Sequence, residues 1–183
     1  MKRAAVFLDR DGTINYDPGY LSSPDDLVVF PAARQGLKLL AKMGYPLFVV
    51  TNQSGLGRGY FDPLSLEAIH RKLERELAED GVKFEEIAYC PHRPDESCSC
   101  RKPSPEMIFK LAAAHDIDLP ASFLIGDSPS DIETGRRAGC RTILLADRRA
   151  ANRLRKDERW FEPDYMASDL WRAALLIRRL KRG

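Results

Sequence analysis

Short apolar runs alternate along the chain with longer stretches of helical period. The runs are Ala4–Leu8, Leu47–Val50, Ile87–Cys90, Phe123–Ile125 and Thr142–Leu145, and between them lie Ala32–Met43, Pro63–Asp80, Pro105–His115 and Ser130–Ala138. This alternation predicts repeated βαβ units, hence a Rossmann-like α/β fold with a mostly parallel sheet covered by helices on both faces. Within the second helix Leu66, Ile69, Leu73 and Leu77 share one stripe. Asp62 can cap it ahead of Pro63, Gly81 can end it, and Gly44 plays the same terminating part after Met43. The tail, Asp169 to Arg182, reads as an amphipathic helix with Leu170, Ala173, Ala174, Ile177 and Leu180 inward and its arginines on a solvated face.

At 183 residues the chain suits one domain spanning positions 1–183. There is no repeat, no low-complexity segment and no region large enough for a separate cap domain. A net charge of +2 provides no basic field for nucleic acid or a membrane surface, so any anion recognition is local. The apolar runs are too short to span a bilayer, and the segment after Met1-Lys2-Arg3 reaches Asp9 before a secretory core could form. We therefore expect a cytoplasmic monomer acting on a small molecule.

Polar residues follow each run: "DRDGT" after the first, "TNQSGLGRGY" after the second, a cysteine cluster ending in "RKPSP" after the third, and "GDSPSD" after the fourth. The carboxyl ends of parallel strands share one crevice, so Asp9, Asp11, Thr51, Lys102 and Asp127 are candidates to converge. Asp9 and Asp127 can offer oxygen ligands to Mg2+. A carboxylate beside a metal-bound phosphate can act as nucleophile. Thr51 adds a hydroxyl donor and Lys102 a fixed positive charge. Asp11 can protonate a leaving alkoxide and later take a proton from water.

Cys90, His92, Cys98 and Cys100 form a C-x-H-x5-C-x-C pattern that can close a tetrahedral Zn2+ shell. With all four places filled by protein, the metal would be structural and would stiffen the loop at 90–100 that carries Arg101 and Lys102. His70 and His115 read as surface or helix-end histidines, and Cys140 as a small buried residue.

The set D9-R-D11-G-T, Thr51, Lys102 and G126-D127-x3-D131 resembles the haloacid-dehalogenase-like (HAD-like) superfamily of aspartyl phosphotransferases. That resemblance implies Asp9 as the phosphorylated nucleophile and Asp11 as acid and base. It implies Mg2+ held by Asp9, the backbone carbonyl of Asp11 and Asp127, with Asp131 supporting the lysine or a metal-bound water. The zinc loop joined to R-K-P resembles one branch of that superfamily, the heptose bisphosphate and histidinol phosphate phosphatases. "DPGYL" and "TNQSGLGRGYF" are more similar to the heptose enzymes, which act on precursors of nucleotide-activated heptose for lipopolysaccharide. On that basis Asp17, Pro18, Gly19, Tyr20, Asn52, Gln53, Ser54, Arg58, Arg101 and Ser128 are candidate substrate contacts. Loops at Asp17–Tyr20, Gln53–Tyr60 and Cys90–Arg101 would cover the crevice, and Arg58 or Arg101 would anchor a second phosphate. Two other classes share features with the chain. A phosphoacceptor receiver domain needs its acceptor aspartate after the third strand, where Cys90 stands; a zinc-stabilised nucleic-acid module needs a basic, aromatic face.

Overall fold

A computed structural model describes residues 2–156 and 161–182. Its strands are β1 (Val6–Leu8), β2 (Leu47–Asn52), β3 (Phe84–Cys90), β4 (Phe123–Gly126), β5 (Arg141–Leu145) and β6 (Tyr165–Ala167). Its helices are α1 (Pro31–Lys42), α2 (Ser54–Gly57), α3 (Pro63–Ala78), α4 (Glu106–Ala114), α5 (Pro129–Ala138), α6 (Arg148–Leu154) and α7 (Leu170–Leu180), with a 3-10 turn at Pro24–Asp26. The strands form one sheet in the order β3-β2-β1-β4-β5-β6, every pair parallel.

Side chains alternate across this sheet and divide the core in two. Val6, Leu8, Leu47, Val49, Phe123, Ile125 and Ile143 face α1, α3 and α7. Ala5, Phe7, Phe48, Val50 and Leu124 face α4 and the end of α5. Strands buried on both faces read as unbroken apolar runs, which is why β1, β2 and β4 are visible in the sequence. The predicted stripe of α3 is fully buried, and Asp62 accepts from the Ser65 N–H at 2.7 Å as its cap. In α7 Leu170, Ala173, Ala174 and Ile177 are buried against α1; the Leu and Ile contribute about 1.5–3 kcal/mol each.

The elements that the sequence pattern misses have local reasons. β3 begins at Phe84, but its first half alternates irregularly between buried and exposed positions at the sheet edge. β6 is a three-residue edge strand with no buried position, and the four-residue α2 is too short to display a period. Cys90 does end β3, so the acceptor position of a receiver domain holds no carboxylate. Among the described residues no helix is long and apolar enough to cross a membrane.

Candidate active site

From β1 the chain passes to β2 and β3 on one side, then returns to place β4, β5 and β6 on the other. Connections that diverge in this way open a crevice at the carboxyl ends of β1 and β4. A cavity of about 360 Å³ occupies it, lined by Asp9, Asp11, Asp17, Thr51, Lys102 and Asp127 among others. Asp9 directly follows β1, its N–H donating to Ile125 O at 3.0 Å, and Asp127 directly follows β4. Gly12 has φ +78°, and a Cβ there would lie 2.2 Å from Asp127 Oδ2, so only glycine lets the first loop pass this close to the second carboxylate.

Lys102 holds the centre. Its Nζ donates to Asp9 Oδ1 at 2.7 Å, to Asp131 Oδ1 at 2.6 Å and to Val50 O at 2.9 Å, which uses all three N–H groups. Burial opposes the ammonium, but Asp131 and Asp9 outweigh it and hold its pKa above the ordinary lysine value. Burial pushes Asp9 up to about 7, with Asp131 and Asp127 adding to the rise and Lys102 opposing it. Asp127 is pushed up to about 6, first by burial and then by Asp131. Three carboxylates against one ammonium leave two negative charges, which a divalent cation would neutralise. Asp9, Asp127 and Asp131 each offer an oxygen, all within 4.8 Å of one another. Asp131 is already engaged, because its other oxygen accepts from Ser128 N at 3.1 Å and Ser128 Oγ at 2.6 Å. Asp9 and Asp127 are thus the carboxylates with oxygens to offer a hard cation, and the donor set fits magnesium.

Asp11 lines the same crevice but stands outside this carboxylate cluster. Oδ1 accepts from Arg10 Nε at 3.1 Å and Asn15 Nδ2 at 2.9 Å; Oδ2 accepts from Arg10 Nη2 and Gln53 Nε2, both at 2.8 Å. Burial alone would raise its pKa, but Arg10, Asn15 and Gln53 hold it below the usual carboxylate range. Gln53 Nε2 also donates to Thr51 Oγ1 at 2.9 Å, which leaves the Thr51 O–H free to donate into the crevice.

A family model described as HAD-hydrolase-like matches residues 99–173. The chain is 39% identical over 146 residues to the D-glycero-beta-D-manno-heptose-1,7-bisphosphate 7-phosphatase of Pseudomonas aeruginosa, covering 79% of this chain and 82% of that one. The chain belongs to the heptose-bisphosphate phosphatase family of HAD-like hydrolases. Its structure is similar, with a TM-score of 0.88 and 35% identity over the whole of both chains, to the D,D-heptose 1,7-bisphosphate phosphatase of B. bronchiseptica solved with magnesium and phosphate. The L-2-haloacid dehalogenase of Xanthobacter autotrophicus, at 12% identity and a TM-score of 0.67, shares the fold.

Within this HAD-like crevice the remaining expected residues separate into groups. Asp17, Gly19, Tyr20, Asn52, Gln53, Ser54 and Ser128 line it, whereas Pro18, Arg58 and Arg101 do not. Asn52 is spent on Lys102, donating to its carbonyl at 3.2 Å and accepting from its N–H at 3.0 Å. Arg58 is exposed at the end of α2. Arg101 lines an adjoining cavity of about 400 Å³ that shares Asn52, Lys102 and Ser130 with the crevice. The Cys90–Arg101 loop therefore flanks the site and does not roof it. The rings of Tyr20 and Tyr60 meet edge to face at 4.8 Å, joining the other two loops.

His70 also departs from expectation. It is buried, 9% exposed, with Nε2 3.0 Å from Arg10 Nη1, and Arg10 is fully buried. A lone histidine in a helix and an arginine between two aspartates carry no local signal of a mutual contact 60 residues apart. His115 does cap the end of α4, beside Glu86, and Cys140 is buried as expected.

The HAD-like core carries one more cluster. Cys90 Sγ lies 3.7 Å from Cys98 Sγ and 3.5 Å from His92 Nδ1, and His92 Nδ1 lies 3.3 Å from Cys100 Sγ. Ligands at about 2.0–2.3 Å around a tetrahedral zinc are separated by roughly 3.5–3.8 Å. The donor chemistry and most of these spacings fit zinc, while Cys90 and Cys100, at 2.9 Å, stand closer than such an edge.

Proposed function

We propose that the chain is a magnesium-dependent phosphatase that removes the 7-phosphate of D-glycero-β-D-manno-heptose 1,7-bisphosphate in the cytoplasm, on the route to nucleotide-activated heptose. The observation that carries this reading is Asp9, fixed through Oδ1 by Lys102 beside Asp127, in the crevice of a chain whose relatives bear that enzyme's name. Asp9 attacks phosphorus, the bond from phosphorus to the sugar oxygen breaks, and Asp11 gives that oxygen its proton. Carrying that proton requires Asp11 to release one of its four donor contacts. In the second half Asp11 takes a proton from water, the water oxygen bonds to phosphorus, and the bond to Asp9 breaks to release inorganic phosphate. Thr51 donates to a phosphoryl oxygen, and Lys102 holds a positive charge beside the transferring group. Mg2+ held by Asp9, Asp127 and the backbone carbonyl of Asp11 would neutralise phosphoryl charge. Cys90, His92, Cys98 and Cys100 would hold a structural zinc that braces Arg101 and Lys102.

The test is a panel with Mg2+ containing both anomers of the heptose bisphosphate and histidinol phosphate, with the products identified. We expect the highest kcat/KM on the β anomer, with the 1-phosphate retained. Preference for histidinol phosphate, or release of the anomeric phosphate, overturns the reading.

A further inference from the structure

Among the described residues Arg10 is the largest fully buried side chain, yet it stands beside an open polar crevice. Its guanidinium faces two ways. Nε and Nη2 grip both oxygens of Asp11 as a planar fork, and Nη1 donates to His70 Nε2 at 3.0 Å. Accepting that bond places the His70 proton on Nδ1 and leaves the ring neutral. The Arg10 backbone is fixed as well, since its carbonyl accepts from Ile14 N at 2.7 Å and Asn15 N at 3.2 Å. His70 projects from α3 and its ring lies 5.9 Å from that of Tyr89 on β3, so the histidine is anchored to the body of the domain and lines no part of the crevice.

A buried arginine on one carboxylate adds little net stability compared with apolar packing. What this arrangement adds is direction, because a fork clamped at both ends permits Asp11 one orientation. We propose that His70 is a positioning residue that acts through Arg10 to hold the Asp11 carboxylate where it takes the proton of the attacking water. This rests on the reading of Asp11 as the proton-transfer group. Loss of the His70 acceptor frees the far end of the guanidinium, loosens the fork and slows phosphoenzyme hydrolysis. Formation of the phosphoenzyme from an ester with a good leaving group needs no proton from Asp11 and is spared.

The experiment uses para-nitrophenyl phosphate with His70→Leu, His70→Gln, Arg10→Lys and Asp11→Asn in the full chain with Mg2+, each checked by its melting curve. Phosphoenzyme is trapped by acid quench. His70→Leu is expected to lower kcat on the order of tenfold, a part of the ~10²–10⁴ that general acid–base help supplies, with kcat/KM unchanged and phosphoenzyme accumulating. His70→Gln, whose amide oxygen can accept from Arg10, recovers most of that kcat. Arg10→Lys, which keeps the charge without the fork, shows the same kcat loss and accumulation, so the test stands even where His70→Leu folds poorly. On an Asp11→Asn background His70→Leu costs nothing further. Parallel falls in kcat and kcat/KM without phosphoenzyme, or an equal loss in the Asp11→Asn background, overturn the positioning role. Full activity of Asp11→Asn itself would instead remove the proton-transfer reading on which it rests.

Discussion

Asp9 and Asp11 are two residues apart and carry opposite environments. Asp9 shares one cation with Asp131 in a cluster with excess negative charge, which suits metal binding and nucleophilic attack. Asp11 receives four hydrogen bonds and has no repulsive neighbour among the causes of its shift, which keeps the carboxylate ionised until one of those donors withdraws. His70 adds a consequence for stability. Burial, and then the Arg10 charge, depress its pKa from 6.5 to about 4. Unfolded chains bind this proton below pH 6.5 while the folded protein does not until about pH 4, so the contribution is complete above pH 6.5 and is lost as pH falls toward 4. It amounts to roughly 3 kcal/mol. Thermal melts of wild type and His70→Gln across that window should converge toward acid pH, carboxylate titration being common to both. A constant gap between the two curves would contradict a depressed histidine pKa.

At the scale of elements, the loops after β2 and β3 behave as one piece. Gln53 N donates to Cys90 O at 2.8 Å and Gly57 N to Pro91 O at 3.0 Å, which ties α2 to the start of the cysteine loop. Arg101 Nη1 donates to His92 O at 3.2 Å at the loop's far end. Removing one thiolate should therefore act at a distance. Cys98→Ser is expected to lose zinc by elemental analysis, to melt several degrees lower, and to weaken catalysis through the displaced Lys102 backbone. Wild-type melting together with a zinc-free wild-type protein would show that the cluster holds no metal. The same coupling explains why α2 was not legible from sequence: its few residues are held by backbone bonds to another loop and not by an apolar face of their own.

For the whole molecule, the near-neutral net charge conceals a locally acidic crevice, with Asp17 at the rim adding to the charge that raises Asp127. A doubly phosphorylated substrate needs cations to counter this field. Lys102 is fully committed within the site, and Arg101, which lines the adjoining cavity, is the cation we propose for a second phosphate. Arg101→Ala should then lose kcat/KM on the bisphosphate by about tenfold or more while a matched monophosphate is little affected, since a charge-assisted contact is worth ~1.5–3 kcal/mol. Equal losses on the two substrates would place Arg101 in the support of the loop and not in recognition. Arg58, exposed just after α2, serves as the comparison variant.

The alternation of buried strands and amphipathic helices, the Asp62 cap, the cluster of three cysteines and one histidine and the polar residues after each strand are written in local order along the chain. Burial on both faces, helical period and ligand spacing are short-range properties, so they survive in one dimension, and the topology of a parallel sheet then brings strand ends together whatever lies between them. The partners within the crevice are different in kind. That Lys102 is exhausted by Asp9, Asp131 and Val50, that Asn52 is consumed by the Lys102 backbone, and that Arg10 turns inward to His70 depend on rotamers selected by packing from several elements. The same applies to Arg58 and Arg101, which share motifs with the crevice-lining Thr51 and Lys102 yet lie outside the crevice. A side chain's direction is set by the space its neighbours leave, and those neighbours lie 50 residues away for Asn52 and Lys102 and 60 for Arg10 and His70. Tertiary structure alone decided them.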